Sequence, residues 1–153
     1  MHIDLRHTRA LVTGASRGIG KAIALALMDS GARVAVSYRV ERAAAEALVE
    51  GHAGSVALAA DLGNPRECVD LFKRAEDALG GIDLLVNNAA IAVSSPMDAG
   101  NKAWVEDWER TMTVNLTSSA ILSREAIRAA LSRGGQLRIV YIGSRAAFRG
   151  DTP

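Results

Sequence analysis

Thr13-Gly14-Ala15-Ser16-Arg17-Gly18-Ile19-Gly20 is the stretch on which the reading of this chain turns. Arg9-Ala10-Leu11-Val12 comes before it, short and apolar, and reads as a buried strand. Lys21 to Met28 follows, and Ile19, Ile23 and Leu27 recur every fourth residue, which is helical spacing. Strand, glycine-rich turn and helix in that order make a site for a dinucleotide. The glycines let the backbone approach a pyrophosphate, and the helix N-terminus offers free N–H groups and the positive end of its dipole. Three glycines alone mark only a turn; the flanks give them this meaning. Their spacing, Gly-x-x-x-Gly-x-Gly, is not the Gly-x-Gly-x-x-Gly of the commonest fingerprint.

Outward from this turn, strand and helix signals alternate. A helix from Gly18 to Ser30 stops at Gly31, and Arg33–Tyr38 is a second strand. A helix from Glu41 to Glu50 precedes a third strand, Ser55–Ala59. Asn64-Pro65 reads as N-cap and first residue of a helix that carries Cys68, Phe72, Ala75 and Leu79 on one face and ends at Gly80-Gly81. Asp83–Asn87 is a fourth strand; a long helix from Trp104 to Ser132 and a fifth strand, Leu137–Ile142, follow. This alternation predicts an α/β, Rossmann-like, doubly wound parallel sheet in three αβα layers. With right-handed crossovers the strand order is 3-2-1-4-5. No repeat or linker divides the chain, so residues 1–153 read as one NAD(P)-binding domain. Trp104, Trp108, Met112 and Leu116 form a stripe read as helix core or helix–helix contact.

Composition narrows the partners. The 153 residues carry 18 basic and 17 acidic side chains, a net charge of +1, which points to neither nucleic acid nor an anionic membrane. The basic spots, Arg6-His7 with Arg9 and Arg145 with Arg149, read as solvated surface. Cys68 is the one cysteine and reads as a buried thiol. His2, His7 and His52 are scattered and have no metal-ligand spacing. The start of the chain is too polar for a signal peptide and no run approaches membrane-spanning length, so a cytoplasmic protein is expected.

Strand two ends in Ser37-Tyr38-Arg39, and no carboxylate follows until Glu41. A site for NAD places an acid here to hold the ribose 2′-hydroxyl, whereas an arginine suits the 2′-phosphate of NADP. Arg17 and Arg39 are the candidates, so NADP is expected ahead of NAD. Asp61-Leu62 follows strand three, where a loop Asp also accepts backbone N–H bonds. Asn87-Asn88-Ala89-Ala90 ends strand four, and paired asparagines there can tie neighbouring backbone together. Asn115 is a poor choice for a helix interior and asks for a reason. Ser144 follows strand five in Ile142-Gly143-Ser144, where a plain loop serine would also fit.

Thr-Gly-x-x-x-Gly-x-Gly, Asp61, Asn87–Ala90, Asn115 and Ser144, in this order along nearly the whole chain, resemble the classical short-chain dehydrogenases/reductases. The resemblance implies reversible hydride transfer between NADP(H) and a small-molecule carbonyl or alcohol. It implies that Gly14, Ser16, Arg17, Gly18, Ile19, Gly20, Arg39, Asp61, Leu62, Asn88, Ala89 and Ala90 bind the cofactor, with Asp61 at the adenine. Asn115 would join a proton relay, and Ser144 would hydrogen-bond the substrate carbonyl. The full-length enzyme would be a homo-oligomer paired through the long helix.

Two departures matter. Ala90 stands where the family has glycine. The family's catalytic Tyr-x-x-x-Lys lies downstream of the serine, and the nine residues from Arg145 to Pro153 do not contain it. Tyr141, with Arg145 four places on, precedes Ser144 and does not substitute; Tyr38 ends strand two. The expectation is therefore the N-terminal part of a longer enzyme, incomplete at its C-terminus, with strand five a bare edge and little turnover by itself. The alternatives are a non-catalytic NADP(H)-binding module and a non-functional fragment.

Overall fold

In the computed structural model, which describes residues 4–98 and 100–149, five strands form one parallel sheet in the order β3-β2-β1-β4-β5. The strands are β1 Arg9–Val12, β2 Arg33–Tyr38, β3 Val56–Ala59, β4 Leu84–Asn87 and β5 Arg138–Tyr141. The helices are α1 Gly18–Asp29, α2 Arg42–Val49, α3 Pro65–Leu79, α4 Asn101–Met112, α5 Ser118–Arg133 and the short α6 Ala146–Arg149. The polar start Met1–Ile3, the end 150–153 and the Arg149 side chain lie outside what is described.

The apolar strands are explained by burial on both faces. Successive residues of a strand point to opposite sides. Leu11, Ala35 and Leu85 therefore meet Leu71, Phe72 and Ala75 of α3 and Leu122 and Ala126 of α5. Ala10, Val12, Val34, Val36 and Val86 meet Ala24 and Met28 of α1 and Ala45 and Leu48 of α2. The register sets Leu11 beside Ala35 on one flank and beside Leu85 on the other, and Leu85 beside Ile139. The order reverses between β1 and β4, so a crevice opens at their C-terminal ends. β5 is an edge, with Arg138, Val140 and Tyr141 exposed, as expected.

Local signals place the helices. The Asn64 side chain accepts the Arg66 N–H at 3.0 Å and Pro65 takes the first helical position. Gly80 ends α3 at φ +74°, a conformation glycine adopts without penalty. Opposite the crevice, Arg9 Nε and Nη2 each donate to Asp83 at 2.7 Å, and Arg9 also reaches the Gly80 carbonyl. Arg133 of α5 pairs with Glu76 at 3.0 Å and donates to the Ile82 carbonyl at 2.7 Å. The hydrogen bonds from Arg9 hold the Asp83 carboxyl below its ordinary range, against a smaller upward push from burial.

Two expectations are corrected. The long helix is not regular: α4 and α5 are joined by a π-helical turn, Thr113–Thr117. The tryptophan stripe is not core. No described residue of α4 is buried, and Trp104 and Trp108 are 41% and 54% exposed. Four-residue spacing reports that a stripe exists, not what stands opposite it; here Trp104 and Trp108 flank Val93 and Ser95 of the loop after β4. No helix among the described residues is long and apolar enough to cross a membrane.

Candidate functional site

Thr13, at the end of β1, builds the floor of the crevice. Its Oγ1 accepts the backbone N–H of Asn88 at 2.9 Å and of Ala89 at 3.0 Å, and donates to the Val86 carbonyl at 3.3 Å. Asn88 Nδ2 returns the bond, donating to the Thr13 carbonyl at 2.8 Å and the Gly14 carbonyl at 3.1 Å. From the other side, Ser37 Oγ accepts the Gly14 N–H at 3.2 Å. The ends of β1, β2 and β4 are thus laced together, which holds the glycine turn in one place. Thr13 and Ser37 were not among the sequence candidates. Their signal was a hydroxyl closing an otherwise apolar strand.

The glycines are required here by space. A Cβ on Gly20 would lie 2.4 Å from Asn88 Nδ2 and 2.5 Å from the Gly14 carbonyl oxygen. Gly14 sits at φ +61° with Ala89 against it, and Gly18 at φ +57° faces open space. Arg17, the N-cap of α1, makes no side-chain cap, and no acid stands in the first turn. The first N–H groups of α1 are therefore left for a ligand, with the positive end of the helix behind them.

A cleft of about 520 Å³ opens over this floor, a size usual for small-molecule and cofactor sites. Gly14, Ser16, Arg17, Gly18, Ile19 and Gly20 form one wall. Arg39, with Tyr38, Val40 and Glu41, forms the rim at the end of β2. Asp61 and Leu62, then Asn88, Ala89 and Ala90, then Ile91 and Val114 complete it. All twelve sequence candidates for cofactor contact thus line one cleft. Arg17 and Arg39 are exposed and make no ion pair among the described residues, while Glu41 brings an opposing charge. Asp61 also fits the plainer reading, since its Oδ1 accepts the Gly63 N–H at 2.9 Å. No described residue other than glycine has positive φ, so Ala90 in the family's glycine position is unstrained.

Asn115 and Ser144 are placed differently. Asn115 lies in the π-helical turn with its amide on the backbone of Ile91: Oδ1 accepts the N–H at 2.8 Å and Nδ2 donates to the carbonyl at 2.9 Å. Ser144 is exposed, does not line the cleft, and accepts the Ala146 N–H at 3.1 Å, capping α6. Asn87 turns to the other face of the sheet. Its Nδ2 donates to Ser123 Oγ at 3.2 Å, which pairs with the Tyr141 hydroxyl at 2.7 Å. Cys68 is buried as expected, and burial pushes its thiol up to about 11. No group of three potential metal ligands occurs among the described residues.

The family model described as short chain dehydrogenase matches residues 8–152. A 3beta-hydroxysteroid dehydrogenase 1 of Eggerthella lenta is 38% identical over 138 residues, covering 87% of this chain and 51% of that protein. A 3-oxoacyl-[acyl-carrier-protein] reductase of Synechocystis sp. is 38% identical over 146 residues, covering 93% and 58%. The crystal structure of a short chain dehydrogenase from Burkholderia cenocepacia in complex with NADP superposes with a TM-score of 0.84 at 34% identity, over 99% of this chain and 60% of that one. The chain thus spans between half and three fifths of the length of these relatives.

Proposed function

Since the chain belongs to the short-chain dehydrogenase family, we propose that its cleft binds NADP(H) in service of hydride transfer to or from a small carbonyl or alcohol compound. The observation that carries this is the uncapped start of α1 above a glycine turn that leaves no room for a Cβ at Gly20, with Arg17 and Arg39 flanking the cleft. Residues 1–153 act in this reading as one cofactor-binding domain in the cytoplasm.

The pyrophosphate lies over Gly14, Ser16, Gly18, Ile19 and Gly20, where open N–H groups and the helix dipole meet its charge. Arg17 and Arg39 take the 2′-phosphate. Arg17 and Arg39 flank the cleft, and no carboxylate stands at the end of β2 before Glu41, which favours NADP over NAD. Asp61 and Leu62 hold the adenine, and Asn88, Ala89 and Ala90 support the adjacent ribose. When bound, the cofactor supplies or accepts the hydride. Ser144 hydrogen-bonds the substrate oxygen, and Asn115, fixed by Ile91, belongs to the proton path.

An alkoxide formed by hydride transfer must be protonated, and a placed general acid contributes about 10²- to 10⁴-fold. No tyrosine follows Ser144 within these residues, a serine hydroxyl is a poor acid near neutral pH, and Arg145 does not release its proton. Binding without turnover by the 153 residues alone is the second reading that this favours. The exposed Leu116, Ile127 and Leu131 suit self-association of the full-length enzyme.

NADPH and NADH titrations of the chain, followed by absorbance assays with a panel of ketones, test the proposal. Tighter NADPH binding with negligible oxidation is expected here. Turnover is expected in a chain extended to the length of its relatives. Equal affinities would remove the NADP assignment, and absence of binding would remove the cofactor reading.

A further inference from the structure

We propose that Glu67, which does not line the cleft, is a positioning residue: it holds the Asp61 backbone at the cleft wall and thereby sets the preference of the site for adenine over other bases. This rests on the reading of the cleft as the cofactor site.

β3 is an edge strand, and the chain leaves the sheet just after it. The Ala60 N–H still donates to the Tyr38 carbonyl at 2.8 Å, where β2 itself ends. The next N–H, that of Asp61, goes to a side chain instead. Glu67 Oε2 accepts it at 2.7 Å, from six residues along the chain. That length is typical of a bond to a charged acceptor. The other oxygen, Oε1, accepts Asn64 Nδ2 at 3.2 Å.

This is not the usual use of a glutamate at a helix start. Asn64 is the N-cap of α3, and Glu67 lies in its first turn. A glutamate three residues after the cap commonly accepts the N–H of the cap residue itself. Here the Asn64 N–H goes to the Asp61 carbonyl at 2.9 Å, and Glu67 reaches past it. Cys68, the next residue of α3, directs its thiol to the Leu62 carbonyl at 3.8 Å. The first turn of α3 thus grips Asp61 by its N–H and Leu62 by its carbonyl. Asp61 and Leu62 both line the cleft, whereas Glu67 is partly buried and lines none of it, so it acts through them.

The grip has a chemical consequence. Asp61 Oδ1 accepts the Gly63 N–H at 2.9 Å, and a carboxylate keeps acceptor capacity after one such bond. That capacity suits the exocyclic amino group of adenine, a donor. It opposes the carbonyl that hypoxanthine carries in the same place. Its aim is set by the Asp61 backbone, and that backbone is set by Glu67.

The chain is titrated with NADPH and with the hypoxanthine analogue of NADPH, and hydrogen exchange of the Asp61 amide is followed without cofactor. The parent should bind NADPH about tenfold more tightly than the analogue, the worth of one charge-assisted bond. Two variants separate position from charge. Glu67→Gln keeps the length and an acceptor for the Asp61 N–H, so the preference should persist. Glu67→Asp keeps the charge at the start of α3, and with it the support of the helix dipole, but is one methylene too short. It should lose most of the preference and exchange the Asp61 amide faster. A preference retained by Glu67→Asp, or lost in Glu67→Gln, overturns the inference, and so does an Asp61 amide that exchanges no faster in Glu67→Asp. Equal binding of the two dinucleotides by the parent overturns it as well and leaves the cofactor reading standing. Binding of neither removes that reading and the inference with it.

Discussion

Asn115 closes a ring of two hydrogen bonds with the backbone of Ile91, accepting its N–H at 2.8 Å and donating to its carbonyl at 2.9 Å. One side chain thus fixes the loop after β4 to the π-helical turn between α4 and α5, as a neighbouring strand would. Each such bond contributes about 0.5–1.5 kcal/mol net. Asn115→Ala should therefore lower stability by about 1–2 kcal/mol in urea unfolding and speed hydrogen exchange at the Ile91 amide. An unchanged exchange rate at that amide would show that the pair does not hold the loop.

Gly20 and Gly18 should respond differently to alanine. At Gly20 the new Cβ meets backbone and Asn88 at 2.4–2.5 Å, so the floor must move. Gly20→Ala should cost about 1–3 kcal/mol and abolish cofactor binding. At Gly18 the Cβ meets nothing, and only the strain of φ +57° is felt. Gly18→Ala should cost about 1–2 kcal/mol and leave weaker but measurable binding. Unfolding curves with NADPH titration compare the two, and equal behaviour would contradict the geometry.

Arg39 is exposed on the rim, so its bond to a 2′-phosphate falls at the lower end of charge-assisted strength. Arg39→Ala should weaken NADPH binding about tenfold and change NADH binding little. Calorimetry with both cofactors reads this directly. An equal loss for NADH would move Arg39 from the 2′-phosphate to a part of the cofactor the two share.

Acid should reveal the Arg9–Asp83 pair. Hydrogen bonds from Arg9 depress the Asp83 carboxyl in the folded chain, so on acidification the unfolded chain takes up this proton first. The contribution is complete above the unfolded value of about 3.9 and is lost as pH falls through the lower folded value. Asp83→Asn should thus be less stable than the parent at neutral pH, with the gap closing from about pH 5 downward. Urea midpoints across that range measure it. A gap independent of pH would mean that packing, and not charge, is what Asp83 supplies.

Cys68 should react with thiol reagents only when the chain opens. Its side chain is fully buried, and burial pushes the thiol up to about 11, so little thiolate exists at pH 8. Alkylation should be slow in buffer and fast in urea. Rapid labelling of the native chain would place α3 differently.

The sequence alone determined the sheet and its cleft. Apolar runs between glycine stops define the strands, the turn from Thr13 to Gly20 marks the switch point, and the order 3-2-1-4-5 read from the alternation and right-handed crossovers is the one observed. These features are legible because they depend on neighbours close in the chain, through periodicity, φ and capping. Asn87 and Asn88 show where this ends: adjacent in sequence, they bond Ser123 on one face of the sheet and Thr13 and Gly14 on the other. Likewise the spacing from Trp104 to Leu116 reads as one regular helix, whereas the structure inserts a π turn and leaves both indoles exposed. Tertiary structure alone decided these, because a side chain's partner, 24 residues away for Asn115 and Ile91, is set by strand register and helix placement, which local spacing does not encode.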